Sequence, residues 1–137
     1  MPDANDFNAP MIEQFRANGG KLGGNFEGAP VLLLHTTGAK SGKERVNPMM
    51  YLADGDRILV FATKAGADTN PDWYHNLVAN PQVEVELGTE RFTATATVLH
   101  GEERDRFYAE QAKRYPGFKE YEQRTSRLIP VVALERT

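Results

Sequence analysis

The residues best suited to chemistry lie in a basic segment punctuated by two glycines, residues 36–48, which reads TTGAKSGKERVNP. The segment follows an apolar run and leads into another one, as a loop between two strands would. Its backbone N–H groups, the hydroxyl of Ser41 and the charges of Lys40 and Arg45 can all be directed at one anionic group. The spacing G-x-x-x-x-G-K-[ST] is not met, which argues against nucleotide hydrolysis. The alternative interpretation is a polar hairpin loop that carries lysines and binds no ligand.

A second candidate lies at the start of a predicted helix over residues 70–79, which read NPDWYHNLVA. The free N–H groups and the dipole of a helix N-terminus attract anions. Trp73 and Asn76 are three residues apart and share one helix face, where they offer a ring for stacking beside an amide. Lys64 precedes this helix at the end of a predicted strand. The alternative is that Trp73, the only tryptophan, belongs to the core.

Metal and nucleophile chemistry is poorly represented. His35, His75 and His100 are far apart along the chain, there is no HEXXH motif, and there is no cysteine. These features predict that the protein has no metal site. Serine occurs only at Ser41 and Ser126, and the G-x-S-x-G motif is missing. A bound cofactor would therefore have to supply the reactivity.

Three aromatic residues near the C-terminus recur every three positions: Tyr115, Phe118 and Tyr121. This spacing, after the charged helix 102–114, predicts that one face carries all three rings. They either line a pocket for an acceptor molecule or pack in the core, and the spacing alone leaves both interpretations open.

The elements that must position these residues follow from hydrophobic periodicity and turn residues. Asn70 is predicted as the N-cap of its helix and Pro71 as its first residue. Pro48 implies a bulge or an edge position in its strand. Six mostly antiparallel strands with few helices to cover a flat sheet favour an α+β fold built on a closed β-barrel with peripheral helices. The predicted helices are 5–18, 70–79 and 102–114, and the predicted strands are 31–34, 45–53, 57–63, 83–87, 91–99 and 128–134.

Length and composition are those of one small globular domain of 137 residues. We expect an N-terminal helix and glycine-rich loop over residues 1–27, with residues 19–29 mobile, and a cofactor-binding barrel over residues 28–137. The net charge of −3 argues against binding to nucleic acid. No apolar run reaches the ~20 residues of a membrane helix, and the polar N-terminus is unlike a signal peptide. With no cysteine, these features favour a cytoplasmic protein and leave peripheral contact with a membrane open.

Several separated motifs, taken together and in this order, resemble the deazaflavin (F420)-dependent nitroreductase family. The likeness spans about residues 28–135, nearly the whole chain. The motifs are LLHTTGAKSG at 33–42, RVNP at 45–48, KAGA at 64–67, NPDWYHNL at 70–77, ANP at 79–81, YPGFKEY at 115–121 and IPVV at 129–132.

The resemblance implies a six-stranded split β-barrel that binds reduced coenzyme F420 and transfers a hydride to a small-molecule acceptor. Acceptors in the family include quinones, nitro compounds and unsaturated lactones such as coumarins and aflatoxins. It also implies that Tyr115 and Tyr121 orient the acceptor. The residues implied in cofactor binding are Ala39, Lys40, Ser41 and Arg45 for the phosphate and tail, Val46, Asn47, Pro48, Met49, Met50, Phe61, Ala62, Thr63 and Lys64 along the phosphate, ribityl chain and ring, and Trp73 and Asn76 on the other side.

The sequence departs from the family pattern at a few positions. Ala39 stands where many relatives have arginine, and Glu44 where they have proline. Because one positive charge is lost and one negative charge is gained, we expect a lower affinity for the polyanionic cofactor tail. Phe61 is larger than the usual alanine and is expected to narrow the ring pocket. An FMN-dependent oxidoreductase of the same barrel class and a non-catalytic protein that stores or delivers F420 remain alternatives. A monomer and a homodimer are both open.

Overall fold

The computed structural model describes residues 4–22 and 29–137. Residues 23–28, the middle of the expected mobile loop, lie outside this part. The helices are α1 (Ala4–Ala17), α2 (Asp72–Ala79), α3 (Gly101–Arg114) and α4 (Gly117–Gln123), and the strands are β1 (Val31–Thr37), β2 (Glu44–Asp54), β3 (Arg57–Phe61), β4 (Gln82–Leu87), β5 (Glu90–Val98) and β6 (Val131–Arg136). A short 3-10 helix, Lys64–Gly66, follows β3.

The six strands form one closed barrel in the order β1-β2-β3-β6-β5-β4, and every neighbouring pair is antiparallel. The predicted α+β barrel with peripheral helices is confirmed. Pro48 pairs with Leu33 of β1, while β2 begins to pair with β3 only at Tyr51. Among the residues that the structure describes, the proline therefore lies where one side of β2 has no partner strand, which is the edge position that its missing N–H requires.

Both faces of β1 are covered, which explains its continuous apolar run. Leu32 and Leu34 point into the barrel, and Val31 and Leu33 pack outward under α1 with Phe15. The interior cluster contains Leu32, Leu34, Val60, Ala62, Trp73, Leu77, Val83, Val85, Ala94, Val132 and Leu134. The outer cluster, under α3 and α4, contains Leu52, Leu59, Phe61, Leu99, Phe107, Tyr108, Phe118, Ile129, Val131 and Ala133.

Helix α1 is joined to the barrel wall by an ion pair as well as by apolar packing. Arg16 donates to both carboxylate oxygens of Glu86 on β4, at 3.0 and 2.7 Å. These hydrogen bonds are the main reason why the pKa of Glu86 falls from its usual value to about 2. The N-terminal segment is therefore attached to the barrel. The expected division of the chain at residues 27 and 28 stays a prediction.

Among the described residues, no helix combines the length and the apolar character needed to cross a membrane.

Candidate functional site

The β1–β2 loop, residues 38–43, has the tight conformation that its glycines suggested. Gly38 N–H donates to the carbonyl of Lys43 at 2.7 Å, and Gly42 N–H donates to the carbonyl of Gly38 at 2.9 Å. Ser41 Oγ accepts from the N–H of Lys43 at 3.2 Å. A Cβ at position 38 would lie 2.6 Å from Ser41 Oγ, so a larger residue there would displace the serine hydroxyl from its hydrogen bond with Lys43. The Ser41 hydroxyl thus stabilises its own loop.

Asn76 of α2 connects this loop to the barrel. Its Oδ1 accepts from the N–H of Ala39 at 3.0 Å, and its Nδ2 donates to the hydroxyl of Thr36 at 3.2 Å. Both Asn76 and Thr36 are buried. Asn80, one turn further along the chain, adds a long hydrogen bond to the carbonyl of Thr37 at 3.5 Å. The role of Asn76 as a cofactor contact stays a prediction, while the structure shows that its amide holds the loop in place.

The loop and the start of α2 enclose two adjoining hollows, of about 590 and 220 Å³. Arg45, Asp72 and Asn76 line both hollows, and the two together are here called the basic groove. The larger hollow is lined by Gly38, Ala39, Lys40, Ser41, Arg45, Asp72, His75 and Asn76, and the smaller one by Arg45, Asn47, Lys64, Pro71, Asp72, Trp73 and Asn76.

Eight residues implied by the resemblance therefore lie around the basic groove: Ala39, Lys40, Ser41, Arg45, Asn47, Lys64, Trp73 and Asn76. Three of them carry positive charge, and Asp72 is the one acidic residue among the residues that line the two hollows. The sequence analysis did not predict Asp72 or His75 as site residues. Trp73 also packs in the interior cluster, so the core interpretation of this residue holds together with the site interpretation.

Lys64 adopts a left-handed backbone conformation, with φ of 45°, which is unusual for a residue with a Cβ. Its Nζ donates to Thr69 Oγ1 at 3.1 Å. Strained backbone of this kind persists only where the surrounding structure determines it, and it concentrates at functional sites. At Lys64 the surrounding structure is supplied by Arg127, some 60 positions later in the chain.

Arg127 fixes the segment that contains Lys64. Its guanidinium donates to the carbonyls of Ala62, Thr63 and Ala67 at 3.1, 2.8 and 2.7 Å, and to Asn70 Oδ1 at 2.7 Å. Burial lowers the pKa of Arg127 below its usual value. A lone arginine before a predicted strand gave no signal of this function in the sequence.

The structure corrects two sequence-based expectations in the segments next to these contacts. The Asn70 side chain accepts from Arg127 and does not cap α2, whose N-cap residue is Pro71. Residues 128–130 precede β6, which begins at Val131. At Asn70 the contact with Arg127 replaces the local helix cap, and before β6 the carbonyl of Ile129 accepts from Arg104 at 3.0 and 2.9 Å.

The remaining predicted cofactor residues lie on the barrel wall near the groove or in the cores. Val46 is buried under α1, Ala62 belongs to the interior cluster and Met49 packs against it. Met50 packs against both the outer cluster and the residues under α1. Pro48 stands at the edge of β2, and the backbone carbonyl of Thr63 accepts from Arg127.

Phe61 belongs to an aromatic group in the outer cluster. Its ring lies 5.7 Å from Phe118, and Phe118 lies 5.6 Å from Tyr121, both in edge-to-face geometry. Tyr115 follows the last residue of α3, whereas Phe118 and Tyr121 lie on α4. The chain breaks between them at Pro116, and all three rings still pack on the same outer cluster.

Helix α4 contacts the 3-10 helix that carries Lys64. A Cβ at Gly66, where φ is 81°, would lie 2.9 Å from the carbonyl oxygen of Tyr121. Helix α4, which carries Phe118 and Tyr121, therefore packs against Gly66, and Gly66 lies in the same 3-10 helix as Lys64 of the basic groove.

The fold is a closed antiparallel barrel, and the basic groove on it is lined by the cationic side chains Lys40, Arg45 and Lys64. The chain belongs to the F420H(2)-dependent quinone reductase family, whose model matches residues 10–136. A putative member from Mycobacterium bovis and a member from Mycobacterium tuberculosis are each 44% identical over 131 residues, covering 89% of this chain and 85% of theirs.

Solved structures agree. One described as an F420-H2 dependent reductase is 41% identical, with a TM-score of 0.71, covering 77% of this chain and 94% of its own. Another, described as a domain-swapped dimer, is 36% identical, with a TM-score of 0.73, covering 97% of this chain and all of its own. The family resemblance, the barrel fold and the assignment to the oxidoreductases are confirmed. The FMN alternative finds no support in these relatives.

Proposed function

We propose that the protein binds reduced coenzyme F420 in the basic groove and uses it to reduce a quinone. The observation that carries this proposal is the groove itself, in which Lys40, Arg45 and Lys64 surround a depression of the right charge for a phosphate-bearing cofactor. The family to which the chain belongs supports the choice of F420 over other phosphate-bearing cofactors. The cofactor would supply the hydride, since the protein residues around the groove offer no redox chemistry of their own.

Each residue of the groove has a distinct role in this proposal. Lys40 and Arg45 form charged hydrogen bonds with the phosphate and tail, while Trp73 and Lys64 flank the cofactor nearer the barrel. Asn76 acts by holding the loop in position, because its amide already binds Ala39 and Thr36. The carboxylate of Asp72 opposes anion binding, and together with Ala39 and Glu44 it favours a modest affinity for the tail.

The acceptor is proposed to bind beside the aromatic group, with Tyr115 and Tyr121 orienting it. Both tyrosines are half-buried against the outer cluster, so their rings can contact a flat acceptor while their hydroxyls stay near water. A tyrosine O–H or a water molecule would donate to an acceptor oxygen that gains negative charge. Orientation and exclusion of water would supply most of the acceleration.

Titration of F420 fluorescence with the protein tests the cofactor site. Lys40→Ala and Arg45→Ala should each weaken binding by about ten- to a hundredfold, the worth of a charged hydrogen bond of about 1.5–3 kcal/mol. The loss should shrink as salt rises, because screening already weakens the wild-type contact. Lys113→Ala, which removes an exposed lysine from a different surface hollow, is the matched control. Wild-type affinity in both groove variants at low salt would show that the cofactor binds elsewhere.

Steady-state turnover tests the acceptor. A quinone, a nitro compound and an unsaturated lactone are each offered with reduced F420, and we expect the quinone to be reduced. Tight binding of F420 with no turnover of any acceptor would instead identify a protein that stores or delivers the cofactor. A preparation that is yellow with bound flavin would contradict the choice of F420.

A further inference from the structure

A group of charged residues on the outer wall of the barrel lies outside the proposed cofactor site. His35 of β1 pairs with Glu84 of β4, and Glu86 follows two residues later on the same face. Glu44, at the start of β2, pairs with Thr37 and so lies on the same face as His35. Arg16 reaches this wall from α1. We call His35, Glu44, Glu84 and Glu86 the His35 cluster.

The Nε2 side of the His35 ring has a close hydrogen-bond partner. The side chain is only 3% exposed, and its Nε2 lies 2.6 Å from Glu86 Oε2. The Glu86 carboxylate also receives both hydrogen bonds of the Arg16 fork, so it is held as a charged acceptor. An acceptor at this distance requires Nε2 to carry a proton. In the neutral ring, the lone pair is then on Nδ1.

The other side of the ring faces negative charge. Nδ1 is buried and has no hydrogen-bond partner within the described ranges, 4–22 and 29–137. The carboxylate oxygen Glu44 Oε1 lies 3.4 Å away. A nitrogen lone pair and a carboxylate repel each other at this separation unless a cation lies between them.

The geometry suits a metal ion. Ligands at about 2.0–2.1 Å from a tetrahedral ion are about 3.3 Å apart, which is close to the separation of Nδ1 and Oε1. Glu84 brings a third ligand, since one atom each of His35, Glu44 and Glu84 lie within 4.8 Å of one another. One carboxylate oxygen of Glu84 binds Arg91, which leaves the second for an ion.

We propose that His35 Nδ1, Glu44 and Glu84 bind a divalent transition-metal ion, for which Zn²⁺ is the best match. An imidazole nitrogen with two carboxylates suits Zn²⁺ better than Mg²⁺ or Ca²⁺, and water would complete the coordination. Glu86, held by Arg16, would orient the ring as the outer carboxylates of metal-bound histidines do. This site differs from the expectation of no metal, which rested on distances along the chain and not on strand pairing.

A metal ion bound at this site would link β1, β2 and β4 next to the β1–β2 loop. Glu44 follows the β1–β2 loop directly and precedes Arg45 of the basic groove. A bound ion would therefore fix the C-terminal end of that loop to β1 and β4. The inference itself does not depend on the proposed function, because metal binding is measured without F420.

Isothermal titration of the metal-free full chain with Zn²⁺ tests the site. We expect one ion per chain, a raised melting temperature, and binding at least about tenfold weaker in Glu44→Gln and in Glu84→Gln. The Glu44 side chain is 61% exposed, so its variant should fold normally. Glu90→Gln, which removes an exposed carboxylate paired with Arg136 elsewhere on the barrel, is the matched control. Co²⁺ should give the intense visible bands of tetrahedral coordination.

A proton is the competing occupant, because an imidazolium could donate to both Glu44 and Glu86. Nitrogen-15 NMR of the His35 ring at neutral pH distinguishes the two. A ring protonated at Nδ1 that is unchanged by Zn²⁺ would overturn the proposal. So would titration without a saturable site, or equal affinity for Zn²⁺ in the Glu44→Gln, Glu84→Gln and Glu90→Gln proteins.

Discussion

Asn76→Ala is the substitution that best tests how the basic groove is assembled. The change removes the acceptor for Ala39 N–H and the donor to Thr36, two hydrogen bonds worth about 1 kcal/mol each. Thr36 is 2% exposed, so its hydroxyl would stay dry, whereas Ala39 is exposed and can be hydrated. We therefore expect the free energy of unfolding to fall by about 1–3 kcal/mol, and the melting temperature by about 4–10 °C.

The effect on cofactor affinity follows from the freed loop. Binding would have to restore the conformation of at least one loop residue, which costs about 1–2 kcal/mol in backbone entropy. The dissociation constant for F420 should therefore rise by about five- to thirtyfold. Because Asn76 is neutral, this loss should be the same at low and high salt, unlike the loss in Arg45→Ala.

Thr36→Val is the control, because it removes the second hydrogen bond of Asn76 and leaves the bond to Ala39 and every charge in the groove. Its melting temperature should fall, while its affinity for F420 should stay within about twofold of wild type. The assays are thermal unfolding and fluorescence titration on the same preparations. An Asn76→Ala protein with a lower melting temperature and wild-type affinity would refute the positioning role.

Three further predictions concern other parts of the molecule. Because the pKa of Glu86 is lowered to about 2 by Arg16, its stabilisation is complete above about pH 4.5 and is lost as pH falls towards 2. Urea unfolding should show up to about 3 kcal/mol lost over this range in wild type, and little change in Glu86→Gln. Arg127→Lys should lower the free energy of unfolding by about 2–3 kcal/mol and weaken F420 binding through Lys64, and a change in melting temperature alone would exclude the effect on the site. Tyr121→Phe should reduce quinone turnover about tenfold with F420 affinity within about twofold, and a destabilised protein with normal turnover would remove this tyrosine from the acceptor site.

The sequence by itself determined the local elements and the class of fold. Alternating residues such as those of β5, and turn residues such as Gly55 and Gly88, act within a few positions, so six strands and most helix bounds were readable. The helix start near Trp73 and the glycines around Lys40 also marked two anion-suited turns. Their joint occurrence with the family motifs was enough to identify the family.

Only the tertiary structure brought these turns together and decided how they are held. Asn76 binds a loop nearly 40 residues earlier, and Arg127 fixes the Lys64 segment more than 60 residues away. The His35 cluster likewise combines β1, β2 and β4, and Arg16 of α1 binds to it. Such contacts have no period or spacing along the chain, because they depend on strand register and barrel closure. Buried polar groups then bind whichever partner lies within hydrogen-bond distance. For this reason the Asn70 side chain binds Arg127 and does not cap α2, as the local sequence had predicted that it would.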